Sequence, residues 1–278
     1  MIDYHIHPDY SHDASDSVVD YCWCALNKGI EEICFTTHYD PDPVRANIER
    51  VVVKGVEQPM NYDWAGTYLQ EINEARTQFP QLRIRAGIEI GYEMGLEGRI
   101  ADFVSRNRFD FVLGAVHCLD HIAITSRSEL NEFRMYLKTK GVDFIAQRYF
   151  DYVRAAAQSQ LFDCIAHLDI WRKYILLEMG EEFDRAITKF VPLMIEAIVQ
   201  AGVGLEINTA SLRRGDNEPY PIRKIIAQAV EAGINTFTIG SDAHCAGDLG
   251  SGVQEAIRIL KRFGLNPARF ENRRKILT

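Results

Sequence analysis

The sequence predicts an α/β barrel of parallel strands, and three observations carry that reading. Seven short apolar runs alternate with longer helical patterns along the whole 278-residue chain. Several helical patterns stop at a glycine, the residue that takes the left-handed conformation past a helix end most easily. The scarce polar residues, histidines above all, fall at the same end of successive apolar runs.

Taken in order, the first run is Ile2–Ile6, which holds His5 and is followed by His7 and Pro8, where the chain leaves the sheet. A helical pattern over Ser17–Lys28 stops at "NKG", and the second run, Ile33–Thr37, leads into His38. Asn61–Gln78 is helical; the third run, Ile84–Ile90, has Glu89 near its end. Helical Leu96–Arg106 precedes the fourth run, Phe109–Val116, which leads into His117. Helical Val142–Gln158 precedes the fifth, Phe162–Ala166, which leads into His167. A helix predicted over Glu182–Ala201 stops at "QAG", and the sixth run, Val203–Ile207, carries Glu206 with Asn208 just beyond. Pro221–Ala232 stops at "EAG"; the seventh run, Thr236–Ile239, is followed by Asp242 and His244, and helical Gly250–Phe263 follows. The runs are short, apolar throughout and bounded by polar residues or glycine, as parallel strands covered on both faces are. Residues 40–60 and 118–141 are polar or irregular and read as long loops after strands. The rhythm holds from end to end, which favours one domain over residues 1–278 rather than two.

Composition narrows the class. Hydrophobic residues make up 47% and charged residues 25%, ordinary for a soluble enzyme with a sizeable core. A formal net charge of −8 argues against a dedicated nucleic-acid surface, which needs a basic face. The N-terminal residues lack a signal-peptide pattern and no 18-residue apolar run spans a bilayer, so no membrane partner is expected. Six scattered cysteines suit reduced thiols, and the expected location is the cytoplasm.

In a barrel of parallel strands the C-terminal ends share one face, and barrel enzymes build their sites there. Seven of the eight histidines, His5, His7, His12, His38, His117, His167 and His244, are therefore expected to converge with Glu89 and Asp242; His121 sits in the loop after the fourth strand. Alternate residues of a regular strand face opposite sides, so His5 and His7 meet one ion only if the strand bends or ends there. Imidazole and carboxylate are ligands for zinc, iron and manganese. Crowded histidines without a metal resist one another's protonation. A multinuclear metal site follows.

The motifs "DYHIHPDYSHD", "FTTHYDP", "GIEIGYE", "AVHCLD", "AHLDIWRKY", "EINTASLRRG" and "IGSDAH" resemble, in order, those of the polymerase and histidinol phosphatase (PHP) superfamily, and within it the histidinol-phosphate phosphatase branch. The resemblance runs from residue 2 to about residue 250. It implies the PHP fold, a distorted seven-stranded (β/α) barrel, with three divalent metal ions (Zn, Fe or Mn). By resemblance, His5, His7, Glu89 and Asp242 hold the first metal, Glu89, His117 and His167 the second, and His12, His38 and His244 the third. Glu89, Asp242 and His244 carry the catalysis, and Arg172 and Arg213 match the family's phosphate-binding arginines, with Arg214 ranked behind.

The implied reaction is hydrolysis of a small phosphomonoester, L-histidinol phosphate foremost, with metal ions activating water and neutralising phosphoryl oxygens. Another small phosphomonoester is the alternative, and a nuclease role is weaker because the chain is acidic and carries no polymerase domain. A binding module that has lost catalysis would be expected to have lost ligands, and an ordinary amidohydrolase would not need His12 or "SDAH". Ala115, Ser211 and the loop 119–129 depart from the branch's usual pattern; they bear on which alcohol is bound, not on the phosphate chemistry. Asp40 and Asp42 are candidates to face a cationic substrate group, and Asp120 and His121 to stand outside the ligands.

Overall fold

The structure, a computed structural model, describes residues 1–276, with Leu177 and Met179 described by backbone alone. Seven parallel strands form the barrel: β1 Ile2–Ile6, β2 Glu32–Phe35, β3 Arg83–Gly91, β4 Phe111–Ala115, β5 Cys164–Ile165, β6 Gly204–Asn208 and β7 Phe237–Gly240. Each pairs with the next in sequence order. Every predicted apolar run supplies one of them, and nearly every strand residue is buried, as sheets covered by helices require.

Closure between β7 and β1 is irregular. The two strands meet through a single bridge, Ile6 with Ala243, plus the amide of Asp242 donating to the carbonyl of His5 (2.8 Å) and that of His7 to Ala243 (2.8 Å). Asp3, fully buried, fastens the seam. Its carboxylate accepts from the Ser241 amide (2.9 Å), the Ser241 hydroxyl (2.5 Å) and the Gly250 amide (2.9 Å). The pairing of β1 with β2 slips between Asp3 and Ile6, so the strand bends where the two histidines leave it.

At the opposite end of the barrel a hairpin, Arg269–Glu271 with Arg274–Ile276, covers the strand starts. Phe270 packs against Phe111 (ring centroids 5.0 Å), and its amide donates to the Tyr4 hydroxyl (2.9 Å). One end of the barrel is thus sealed by apolar packing, while the other carries polar chemistry.

The two expected loops hold structure of their own. Residues 40–60 contain a turn at Pro43–Arg45 and a hairpin of Arg50–Val53 with Val56–Pro59. Residues 118–141 contain a tight hairpin, Cys118–Leu119 with Ile122–Ala123, and a helix Leu130–Lys140. The predicted helix 182–201 is corrected to two segments, Ile175–Thr188, itself broken by a kink at Gly180 (φ 57°, ψ −144°), and Val191–Ala201. Pro192 is the reason: it has no N–H to continue a helix and is favoured only in a first turn. No helix among the described residues is long and apolar enough to cross a membrane.

Gly240 stands where β7 passes closest to β1. A Cβ there would lie 2.1 Å from the Cβ of His5 and 2.6 Å from Glu206 Oε1. Gly240→Ala should therefore destabilise by about 1–3 kcal/mol, the usual cost of overpacking, in denaturant unfolding; an unchanged midpoint would contradict this account of the seam.

Candidate metal centre

At the open end of the barrel the strand-end side chains close around one carboxylate. Glu89, at the end of β3 and 1% exposed, offers Oε1 to His117 Nε2 (3.3 Å) and His167 Nε2 (3.0 Å). Its Oε2 lies near His38 Nδ1 (3.0 Å), His5 Nε2 (3.3 Å) and His7 Nε2 (3.5 Å). Five imidazoles from four separate segments surround this single side chain.

Each arrives for a local reason. The slip in β1 turns His5 and His7 to the same side, with their Nε2 atoms 3.0 Å apart. His38 stands on a short strand, His38–Tyr39, paired with β3 directly beside Glu89. His117 follows β4 and opens the 118–123 hairpin. His167 and Asp242 both take positive φ, 27° and 54°, conformations that a side-chain-bearing residue adopts only when its surroundings impose them. Asp242 Oδ1 faces His7 Nε2 (3.3 Å), His5 Nε2 (3.5 Å) and His244 Nδ1 (3.6 Å).

Beneath them lies Glu206, on β6. Its Oε1 accepts from His5 Nδ1 at 2.5 Å, and its Oε2 accepts from the His167 amide (3.0 Å) and Asn208 Nδ2 (3.3 Å). A proton held on Nδ1 by that carboxylate leaves the lone pair of a neutral His5 ring on Nε2, facing the cluster. Asn208 also donates to Asp242 Oδ2 (3.2 Å). The "EIN" at the end of the sixth run marked both residues as strand-end groups; their supporting contacts are visible only in three dimensions.

The protonation pattern records how charge is shared. Burial pushes the carboxyl of Glu89 up, but His5, His117 and His167 outweigh it and hold it well below its ordinary range. Burial opposes protonation of His38 and His117, yet neighbouring carboxylates raise them to about 9 and about 10. His5 is raised against its own burial by Glu206, Glu89 and Asp242. Burial and the rings of His38 and His244 hold His7 well below the usual value. Carboxylates that draw protons onto imidazoles this strongly draw metal cations as well.

The residues fit a metal cluster on two counts. His167 Nδ1 is buried with no hydrogen-bond partner, and Glu89 Oε2 and His38 Nδ1, though 3.0 Å apart, are buried without a hydrogen bond of good geometry, a costly state unless something else satisfies them. The donor set is imidazole and carboxylate, suited to zinc, iron or manganese. Three trios, His5–His7–Glu89, Glu89–His117–His167 and His7–His38–His244, each bring their ligand atoms within 4.8 Å.

The first two expected ligand sets come together as groups. The third differs at one position. His38 and His244 meet beside His7 (ring centroids 4.2 and 4.3 Å), but His12 stands exposed on the cleft wall. Its neighbour Asp13 makes the contacts instead, 3.2 Å from His244 Nε2 and 3.8 Å from His38 Nε2, because a carboxylate answers the charge of those two rings.

Above the cluster opens a cleft of about 520 Å³. Arg172 and Arg213, the expected phosphate-binding pair, do not line its wall in this structure. Arg172 donates to the Pro219 carbonyl (2.9 Å) and stacks over Tyr220, so it braces the 216–220 loop. Arg213 donates to the carbonyls of Ser241 (2.8 Å) and Asp242 (3.1 Å) and pairs with Asp248 (3.0 Å). Backbone carbonyls and acids nearby hold both guanidinium groups. Arg214 likewise is turned to the Tyr220 hydroxyl (2.7 Å). The cations on the cleft wall are Lys173, Arg127 and Arg45, and Arg45 is already clasped by Glu49 (2.7 Å) and Glu129 (2.8 Å). Burial lowers the Lys173 ammonium, which lies 5.4 Å from the centre of the Tyr174 ring.

The sequence profile of the PHP domain family matches residues 3–210. A protein described as a probable histidinol-phosphatase of Deinococcus radiodurans is 26% identical, over 99% of this chain and 98% of its own length. A histidinol-phosphatase of Lactococcus lactis is 24% identical over 95% of this chain and 92% of its own. The crystal structure of histidinol phosphate phosphatase from Lactococcus lactis, complexed with zinc, L-histidinol and phosphate, superimposes with a TM-score of 0.78 at 22% identity, covering 99% of this chain and 98% of that one. With a family profile spanning well over half its length and a barrel of matching form, the chain belongs to the PHP domain family.

Proposed function

We propose that this chain is a metal-dependent phosphomonoesterase acting on L-histidinol phosphate, a step of histidine biosynthesis. The observation that carries the reading is the gathering of five imidazoles around Glu89 at the floor of an open cleft. Two relatives matching over almost the whole chain bear the name histidinol-phosphatase, which supports the choice of substrate. In this reading residues 1–278 act as one unit in the cytoplasm, where six free thiols suit the reducing surroundings.

His5, His7, Glu89 and Asp242 would hold one divalent cation, Glu89, His117 and His167 a second, and His38 and His244 a third with His12 or Asp13 from the same turn. Bound zinc, iron or manganese ions supply Lewis acidity that neutralises phosphoryl charge and makes water a nucleophile at neutral pH. The remaining work falls to the protein. Glu89, Asp242 and His244 form the floor on which the phosphoryl group rests. Glu206 holds the proton of His5 on Nδ1, and Arg213 fixes the carbonyls on either side of the turn into Asp242. Lys173, facing the cleft, meets a phosphoryl oxygen, as a compact cation can. Asp40 and Glu49 on the wall complement a cationic alcohol such as histidinol, and their acidity disfavours a nucleic acid.

Three outcomes test this. Purified protein should release phosphate from L-histidinol phosphate and contain more than one equivalent of metal; metal-replete protein inactive on a broad phosphomonoester panel would contradict the function. Lys173→Met should raise KM about 10- to 100-fold at unchanged metal content, the loss of one hydrogen bond to a charged group worth about 1.5–3 kcal/mol. If instead Arg213→Ala raises KM alone and Lys173→Met changes nothing, the phosphate is held by the arginine after all. Glu206→Ala should weaken metal affinity about 10- to 100-fold in a chelator competition, as removing a ligand's hydrogen-bond partner does.

A further inference from the structure

Outside the Glu89 cluster, three side chains of the same barrel face come together without an assigned role. Asp42 lies just before the Pro43–Arg45 turn, Glu93 just past β3, and His121 at the tip of the 118–123 hairpin. His121 Nδ1 is 2.7 Å from Asp42 Oδ2 and 4.0 Å from Glu93 Oε1, and one ligand atom from each lies within 4.8 Å of the others.

The charges here are not balanced by the protein. Asp42 and Glu93 are 6% and 5% exposed, and among the described residues each has His121 as its ion-pair partner. Glu93 Oε1 accepts from the Tyr152 hydroxyl (2.5 Å), but Oε2 is buried with no hydrogen-bond partner among the described residues. Asp42 Oδ1 is taken by the Val44 amide (2.9 Å), which fixes the carboxylate and leaves Oδ2 toward His121. The neighbouring cations are committed elsewhere: Arg45 to Glu49 and Glu129, and Arg148 to Asp120 (2.5 Å). Two buried carboxylates next to one imidazole are expensive unless a cation joins them.

Asp42 and Glu93 also border a small space of about 10 Å³ that reaches across to Asp40 and His117. That is room for one water-sized particle. We propose that Asp42, Glu93 and His121 form a separate site for a single first-row divalent cation, zinc or manganese by its two-oxygen, one-nitrogen donor set. The hydroxyl of Tyr152 on Glu93 and the Arg45 guanidinium on the His121 carbonyl (3.0 Å) hold two of the ligands from behind. The cation ties together the loops after β2, β3 and β4, which form one wall of the cleft.

Equilibrium dialysis of the full chain against a fixed free zinc concentration tests this, with metal content read by elemental analysis. His121→Ala and, as a gentler change, Glu93→Gln should each bind one equivalent of zinc fewer than the parent, with circular dichroism unchanged. Both should keep the phosphatase activity, since neither residue lines the catalytic cleft. The zinc content of the parent retained in either folded variant overturns the proposal, whatever the substrate of the main site proves to be.

Discussion

The open end of this molecule is organised by the electrostatic demand of one buried carboxylate. Glu89 sits near the end of β3 with almost no contact with water, and burial alone would neutralise it. It stays charged because imidazoles from β1 and the ends of β2, β4 and β5 press against it. Removing the solvent makes these attractions strong, and it makes any unmatched group costly. The cluster is therefore a set of donors held under tension, which cations between the rings would relieve.

The barrel supplies this geometry through its irregularities as much as its regularity. A uniform β1 would send His5 and His7 to opposite faces, and the register slip brings them together. The weak closure between β7 and β1 leaves room for Asp3 to fasten Ser241 and Gly250, which places Asp242 over the site. The positive φ of His167 and Asp242 is backbone strain carried by the same residues that face Glu89. Packing at the far end, around Tyr4, Phe111 and Phe270, holds the strands whose other ends bear that strain.

Much of this was legible in the sequence. Parallel strands buried on both faces leave apolar runs that stand out, so all seven appeared with nearly the right limits. The convergence of the histidines on Glu89 was legible because histidine is rare and the strand ends of such a barrel share a face. What escaped was set by contacts between distant segments. Which side chain of the 12–13 turn lies against His38 and His244 depends on how that turn rotates, and here it is Asp13. Whether Arg172, Arg213 or Lys173 faces the cleft depends on which carbonyls lie nearby, and adjacent cations look alike in a sequence. The hairpins at 50–59 and 118–123 are too short to leave a periodic signal.

The rest of this reading stands on the Glu89 cluster being a metal centre. Anomalous diffraction from crystals of the zinc-loaded protein, recorded on both sides of the zinc edge, tests it most directly. Strong peaks are expected between Glu89 and the rings of His5, His7, His117 and His167. Zinc bound elsewhere, with Glu89 simply hydrogen-bonded among protonated histidines, would contradict it.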